Sequence, residues 1–340
     1  MNSFMPVRSL ARRLPVLLCS AVLLASAGGA PAAQAPSSDD PAPGYPARPL
    51  RLIVPFPPGG SNDVLSRYLG GKLTDRIGQQ VVVDNRPGAN GIIGTELAGQ
   101  APNDGYTMLM VSTSYVMNAA VRRLPYDVEK SFDPVSYIGQ APNCIVVNPK
   151  GSFATLKDLV ERARAKPASI FYASTGIGGF NHFGGELFKK VAKIDMVMVP
   201  YKGGGPAMMD LIAGQIPVMF SSVTQVLPHV RNERLKVLAV GADKRAAPLP
   251  EVPTVAEAGF PGYEVYVWWG IVVPHGVPAA AQNKLRSELT AILQDPETKK
   301  RLLMDAAEPR TLSPAEFRKL IHHDVKKWTE VAREAGIRVQ

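Results

Sequence analysis

Cysteine is almost missing from this chain. Of its two cysteines, Cys19 and Cys144, the first falls inside an N-terminal apolar run that reads as part of a secretory signal. A mature chain with one thiol forms no intrachain disulfide, and 340 residues are enough to bury a core without one. Cys144 stands in the apolar run Cys144-Ile145-Val146-Val147, the setting of a buried strand thiol rather than of a nucleophile. The motifs of common catalytic and cofactor chemistry are also absent: HExxH, CxxC, G-x-S-x-G, the phosphate-binding G-x-x-x-x-G-K-[ST], and a G-x-G-x-x-G with an acidic residue at the right distance. The histidines give no ligand set, since His322 and His323 are adjacent on a helix and point apart, His229 ends a helix, and His275 lies in a Pro/Gly loop. No pair of acids accompanies a histidine or serine, and no basic cluster carries interleaved aromatics, which argues against catalysis and against nucleic acid. After the N-terminal run, no apolar stretch approaches the roughly 20 residues that span a bilayer.

What is present begins with a processing signal. Arg8, Arg12 and Arg13 precede the apolar run Leu14 to Ala25, and Ala33-Gln34-Ala35 supplies a small-x-small cleavage site. A signal peptide over 1–35 is expected, cut after Ala35. Leu17 and Leu18 before Cys19 do not suit a lipidation box. Loss of the three arginines lowers the formal net charge from +9 to +6, a scattered surplus able to attract a small anion. Residues 36–48, rich in Pro, Ala and Ser, read as a flexible lead-in.

The mature chain is organised around residues 51–72. Leu52, Ile53 and Val54 form a short strand, Pro57-Pro58-Gly59-Gly60 a turn, and Val64, Leu65, Tyr68 and Leu69 one side of a helix that Ser61 or Asn62 can cap. A turn of this kind leaves backbone N–H groups at a helix start beside a strand end, a recipe for holding a carboxylate or phosphate, although an ordinary crossover has the same look. The arrangement returns at Ser174 to Gly179 and again at Pro200 to Pro206. A hydroxyl-rich strand end, Ser112-Thr113-Ser114, either binds ligand or caps the helix that follows. Asp63 either serves its own helix end and loop N–H groups or faces a cleft and orders water. His182 either faces that cleft or stays a surface or capping residue. Tyr201 can close over a ligand and Lys202 pair with an anion, while Arg86 either neutralises an anion or ties its loop to Asp84. Of Trp268 and Trp269, adjacent in a strand, one is expected in the core and the other on a cleft wall.

Strand–helix alternation implies mostly parallel sheets covered by helices. Two groups are expected, residues 49–150 together with 265–340 and residues 151–264, joined by two crossings near Ser136 to Asn148 and Val265 to Ile271. A short helix is expected before Gly259, and the C-terminal helices are expected to return to the first group. Two such domains enclose a cleft that closes like a hinge.

Three ordered motifs carry a resemblance: Arg51-Leu52-Ile53-Val54-Pro55-Phe56-Pro57-Pro58-Gly59-Gly60 with Asp63; Asp84-Asn85-Arg86-Pro87-Gly88-Ala89-Asn90-Gly91; and Leu249-Pro250-Glu251-Val252-Pro253-Thr254 with Glu257 and Gly259. From about Pro46 onward the chain resembles the Bordetella uptake gene (Bug) family of periplasmic substrate-binding proteins, associated with tripartite tricarboxylate transporters. The resemblance implies an α/β, two-domain Venus-flytrap fold with the ligand between the domains. It also implies periplasmic location, a small organic carboxylate as ligand, no cofactor or metal, and no enzymatic activity. Membrane permease subunits are the implied partners of a monomeric chain. Carried over by motif, the ligand site comprises Phe56, Pro58, Gly59, Gly60 and Asp63; Ser112, Thr113 and Ser114; Ser174, Thr175, Gly176 and Gly178 with His182; and Tyr201, Lys202 and Gly203. Many relatives have acidic residues near the strand that here reads Pro217-Val218-Met219-Phe220-Ser221, which disfavours an ammonium-bearing ligand and leaves a plain mono- or dicarboxylate, aromatic acids included. The alternative reading is a ligand-loaded sensor for a receptor, or an unrecognised enzyme on the same scaffold.

Overall fold

A computed structural model describes residues 44–337; the expected signal peptide and most of the lead-in lie outside the described residues. The described end of that lead-in is anchored rather than free. Tyr45 donates to Gly105 O and stacks edge-on against Tyr106, while Arg48 pairs with Asp104.

Short β-branched and aliphatic runs make the strands, and each parallel step returns through a helix. The first half comprises β1 (Leu50–Val54), α1 (Ser61–Ile77), β2 (Val81–Asn85), α2 (Ile92–Gly99), β3 (Thr107–Ser112) and α3 (Thr113–Val121). Strands β2, β1 and β3 lie side by side and parallel. The second half comprises α4 (Leu156–Ala165), β5 (Phe171–Ser174), α5 (Phe180–Ala192), β6 (Val197–Pro200), α6 (Gly204–Ile212), β7 (Val218–Ser222), α7 (Val223–Arg231) and β8 (Lys236–Gly241). Here β6, β5 and β7 are parallel.

One long strand, β4 (Phe132–Val147), belongs to both halves. Its residues up to Pro142 pair antiparallel with β9 (Tyr266–Pro274), which itself pairs with β3. Its remaining residues, Asn143 to Val147, pair antiparallel with β7 and β8. The strand runs through Ala141-Pro142-Asn143 without a break. Pro142 stands where β4 changes partners, a position at which a missing N–H is tolerated. The second crossing runs alongside, with Asn143 N donating to Val265 O at 2.8 Å. Two hydrogen-bonded crossings, rather than a loose linker, join the halves.

The C-terminal helices α8 (Ala279–Gln294), α9 (Pro296–Met304) and α10 (Pro314–Glu334), with the short strand β10 (Glu308–Pro309) on β4, cover the first half. Arg76 pairs with Glu288 and Lys72 with Glu297. Ser313 and Glu316 form a reciprocal capping box at the start of α10, with Pro314 in its first turn. This last helix does not stay on the first half alone. Trp328 is buried edge-on against Phe183 of α5, with ring centroids 5.3 Å apart, and Glu334 pairs with Lys190. The helix expected before Gly259 is instead a turn, closed by Thr254 N to Glu257 Oε2 and Glu257 N to Thr254 Oγ1. Trp268 and Trp269 are both buried, and Trp268 Nε1 donates to Asp324, so neither tryptophan forms a cleft wall.

Candidate functional site

The two halves face each other across a cleft built from helix starts and strand ends. The loop from β1 to α1 is held from below by Asp63. Its carboxylate accepts from Gly59 N at 3.0 Å, from Asn85 Nδ2 at 2.9 Å and from Arg67, while Asn85 Nδ2 also donates to Phe56 O. Burial pushes the Asp63 carboxyl up, but these hydrogen bonds outweigh it and leave it below the ordinary carboxylate range. Asp63 thus shapes the loop and lines neither cavity described below. Neither Ser61 nor Asn62 caps α1; the N-cap is Gly60, without a side-chain bond.

Across the cleft, α5 and α6 also begin at uncapped glycines, Gly179 and Gly203, and α3 begins at Ser112 without a side-chain cap. Their first N–H groups lack intrahelical acceptors, and each helix end carries partial positive charge. Gly60, Ser112, Ser114, Thr175, Phe180, Asn181, Gly204 and Gln225 are among the residues around an inner cavity of about 50 Å³. Gln225 Nε2 is buried there as a free donor and Asn62 Oδ1 as a free acceptor, so an anion can satisfy the first and a donor such as water the second.

A larger outer cavity of about 600 Å³ adjoins it and shares Phe56, Pro57 and Thr175 as lining residues. Pro87, Ile177 and Pro206 give it apolar walls; Gly176, Tyr201 and Gly203 also line it, and Arg122 and Lys202 are its cations. No acidic side chain lines either cavity, so the field favours anions. Tyr201 offers its ring, because its hydroxyl is committed to Asp210 at 2.9 Å.

The halves touch directly. Phe180 N donates to Ser114 Oγ at 3.2 Å, Thr175 Oγ1 donates to Asn90 Oδ1 at 3.2 Å, and Arg122 donates to Ile177 O. Asn90 Nδ2 donates to Asn118 Oδ1 and Asn118 Nδ2 donates to the backbone carbonyl of Asn90, which fixes the loop before α2 against α3. Glycine is required at this contact: a Cβ on Gly203 would come within 2.6 Å of the Pro57 ring, and its φ is +141°.

Nine of the sixteen predicted site residues line a cavity: Phe56, Gly60, Ser112, Ser114, Thr175, Gly176, Tyr201, Lys202 and Gly203. The other seven stand behind them. Pro58, Gly59 and Gly178 shape turns. Thr113 accepts from Trp268 N and Ser174 donates to Gly176 O. His182 Nδ1 accepts from Gly178 N at 3.2 Å and its Nε2 lies 4.0 Å from Glu186, facing its own helix and loop rather than the cleft. Arg86 pairs with Asp84. Asn90, Arg122, Asn181 and Gln225 were not singled out as ligand contacts, and Asn62 was read only as a helix cap; Arg122, Asn181 and Gln225 are single residues outside any motif. The described residues contain no cluster able to hold a metal ion, and no described helix is long and apolar enough to cross a membrane.

Residues 65–337 match the family model of the tripartite tricarboxylate transporter family receptor, TctC. Protein BugT of Bordetella pertussis is 35% identical over 299 residues, spanning 87% of this chain and 92% of that protein. Among solved structures, periplasmic binding protein BugD superposes with a TM-score of 0.83 at 31% identity, covering 87% of this chain and 100% of that one. An R. palustris protein, Rpa4515, solved with adipate, superposes with a TM-score of 0.84 at 32% identity, covering 86% and 99%.

Proposed function

The chain belongs to the tripartite tricarboxylate transporter receptor family, and from that premise we propose that it is a periplasmic solute-binding protein that captures a small organic carboxylate for uptake. The observation that carries this reading is the inner cavity, where uncapped helix starts converge with buried amides and hydroxyls and no acid is present. One carboxylate head fits such a seat: its charge meets the helix ends and its oxygens accept from free N–H groups. The apolar outer cavity then takes the hydrocarbon body. Residues 49–150 with 265–340 form one moving body and residues 151–264 the other, hinged at β4 and the start of β9. Closure brings Ser114 to Phe180 and Thr175 to Asn90. Membrane permease subunits receive the loaded protein, which acts as a monomer. The sixteen predicted residues divide into those that touch ligand and those, such as Asp63 and His182, that hold the touching loops in place. The family is one of transporter receptors, and in this reading the protein binds without turnover.

The test is calorimetric titration of ligand-free protein with a panel of mono- and dicarboxylates, followed by recovery of the acid. Saturable binding of unchanged acid is expected. Consumption of the acid, or no binding across the panel, overturns the reading.

A further inference from the structure

Helix α9 buries one side and leaves the other open. Thr298 and Leu302 point inward, and Thr298 accepts from the Tyr68 hydroxyl of α1. Pro296, Lys299, Lys300, Leu303 and Met304 recur at the spacing of the opposite side. Leu303 and Met304 are 46% and 49% exposed and adjacent, whereas other large exposed apolar side chains, such as Val64, Ile93 and Met209, stand singly, as apolar surface residues ordinarily do. Facing α9 are Arg231 at the end of α7 and Ala247 and Pro248 in the loop after β8. An open groove of about 630 Å³ thus has one wall from the helices that cover the first half and one from the second half. Arg231 donates to Met304 O at 2.8 Å and ties the walls together. The groove shares no lining residue with either cleft cavity.

Its charge is of one sign. Arg231, Lys299 and Lys300 line the groove and no acidic side chain does. The acids of α9 and its end are already taken, Glu297 by Lys72 and Asp305 by Arg301. The lining cations have no ion-pair partner among the described residues. An apolar pair inside a rim of unpaired cations is complementary to a segment that sets an apolar residue between carboxylates. Burial of the pair then supplies attraction, and the rim supplies orientation and rate. An anionic bilayer also attracts cations, but it engages clusters of roughly four to eight Lys/Arg, and here three surround a recess. We propose that this groove docks a protein partner through a short acidic segment with apolar residues among its Asp and Glu side chains. The inference does not depend on what occupies the cleft.

The test separates this groove from the rest of the surface by depletion. Random peptides displayed on phage are first depleted on the Lys299→Glu/Lys300→Glu protein and then selected on the wild type, and the strongest binder is titrated as a free peptide by fluorescence anisotropy. All the substituted positions are exposed, so the variants keep the wild-type melting temperature and bind carboxylic acids at the cleft as the wild type does. The expected binder carries Asp or Glu on both sides of an apolar residue. Its affinity weakens with added salt and falls at least about tenfold in Leu303→Ser/Met304→Ser, since two large apolar side chains are lost from the contact. The inference is overturned if depletion leaves no binder, if the binders lack acidic residues, or if an acidic binder is indifferent to Leu303→Ser/Met304→Ser. Vesicles of phosphatidylcholine mixed with phosphatidylglycerol test the bilayer in parallel. Vesicle binding that Lys299→Glu/Lys300→Glu abolishes and no selected peptide competes with would make this face a membrane contact and overturn the inference.

Discussion

Helix starts at the cleft and helix starts on the outside are built differently. On the outside, Thr155, Asp295 and Ser313 each accept a backbone N–H with their own side chains at the starts of α4, α9 and α10. At the cleft, α1, α3, α5 and α6 begin without any such bond. A side-chain cap is worth about 1 kcal/mol, so leaving four helices without an N-cap side-chain bond around one small cavity forgoes stability and leaves first-turn N–H groups open to a guest, apart from Phe180 N, which donates to Ser114 Oγ. The contrast is not complete. Ser222 caps α7 at the inner cavity, and α8 starts uncapped at Pro278 away from it. What distinguishes the cleft is convergence of uncapped ends, together with exclusion of acids.

The sharpest way to break that arrangement is to hold the halves apart. Gly203→Ala drives a methyl group into Pro57 and strains a backbone at φ +141°, so acid binding should weaken by about a hundredfold or more, as expected when the closed state is lost. Isothermal titration checks this, and a variant binding within a few-fold of wild type would show that the Pro57 contact is not part of closure.

Acid sensitivity of the first loop is the next effect. Asp63 has its carboxyl lowered in the folded protein, so its contribution to stability is fully present above the unfolded value, about pH 4, and is lost as pH falls through the lowered folded value. Melting temperature of the wild type should therefore drop on acidification below about pH 4, and Asp63→Asn should flatten that part of the profile while lowering stability at neutral pH. Parallel profiles for the two proteins would remove Asp63 from the account.

On the outside, Thr155→Ala should lower the melting temperature by about 2–4 °C for the loss of one cap and leave acid binding unchanged. A change in affinity there would erase the distinction between the two kinds of helix start. The smallest effect concerns Cys144. Its thiol is fully buried and pushed up by burial, so native protein should not react with a thiol reagent until unfolded; stoichiometric reaction of the native chain would place β4 closer to solvent.

Much of this was legible in the chain because it is local. A β-branched run, a Pro/Gly turn and an apolar helical side are contiguous, so β1, the first loop and α1 could be read directly, as could the two later copies. The double membership of β4 could not, because the change of partner at Pro142 depends on where β7, β8 and β9 lie. His182 illustrates the same limit: its place after a glycine turn suggests a cleft, yet Gly178 N and Glu186, four residues on, turn the ring the other way. Arg122 left no local signal at all. It is one of two adjacent arginines after a helix, and only the opposing loop at Ile177 sets it apart.

The central claim, that the uncapped start of α1 is one wall of a carboxylate seat, is met most directly at Gly60. Its φ of −84° suits any residue, and the nearest protein atom to an added Cβ is Pro57 O at 4.0 Å, so the fold itself has no objection to alanine. The methyl group would occupy a large share of a 50 Å³ cavity. Titrating wild type and Gly60→Ala with the same acid should show at least about a tenfold loss of affinity at unchanged melting temperature; equal affinity for the two proteins would contradict the account.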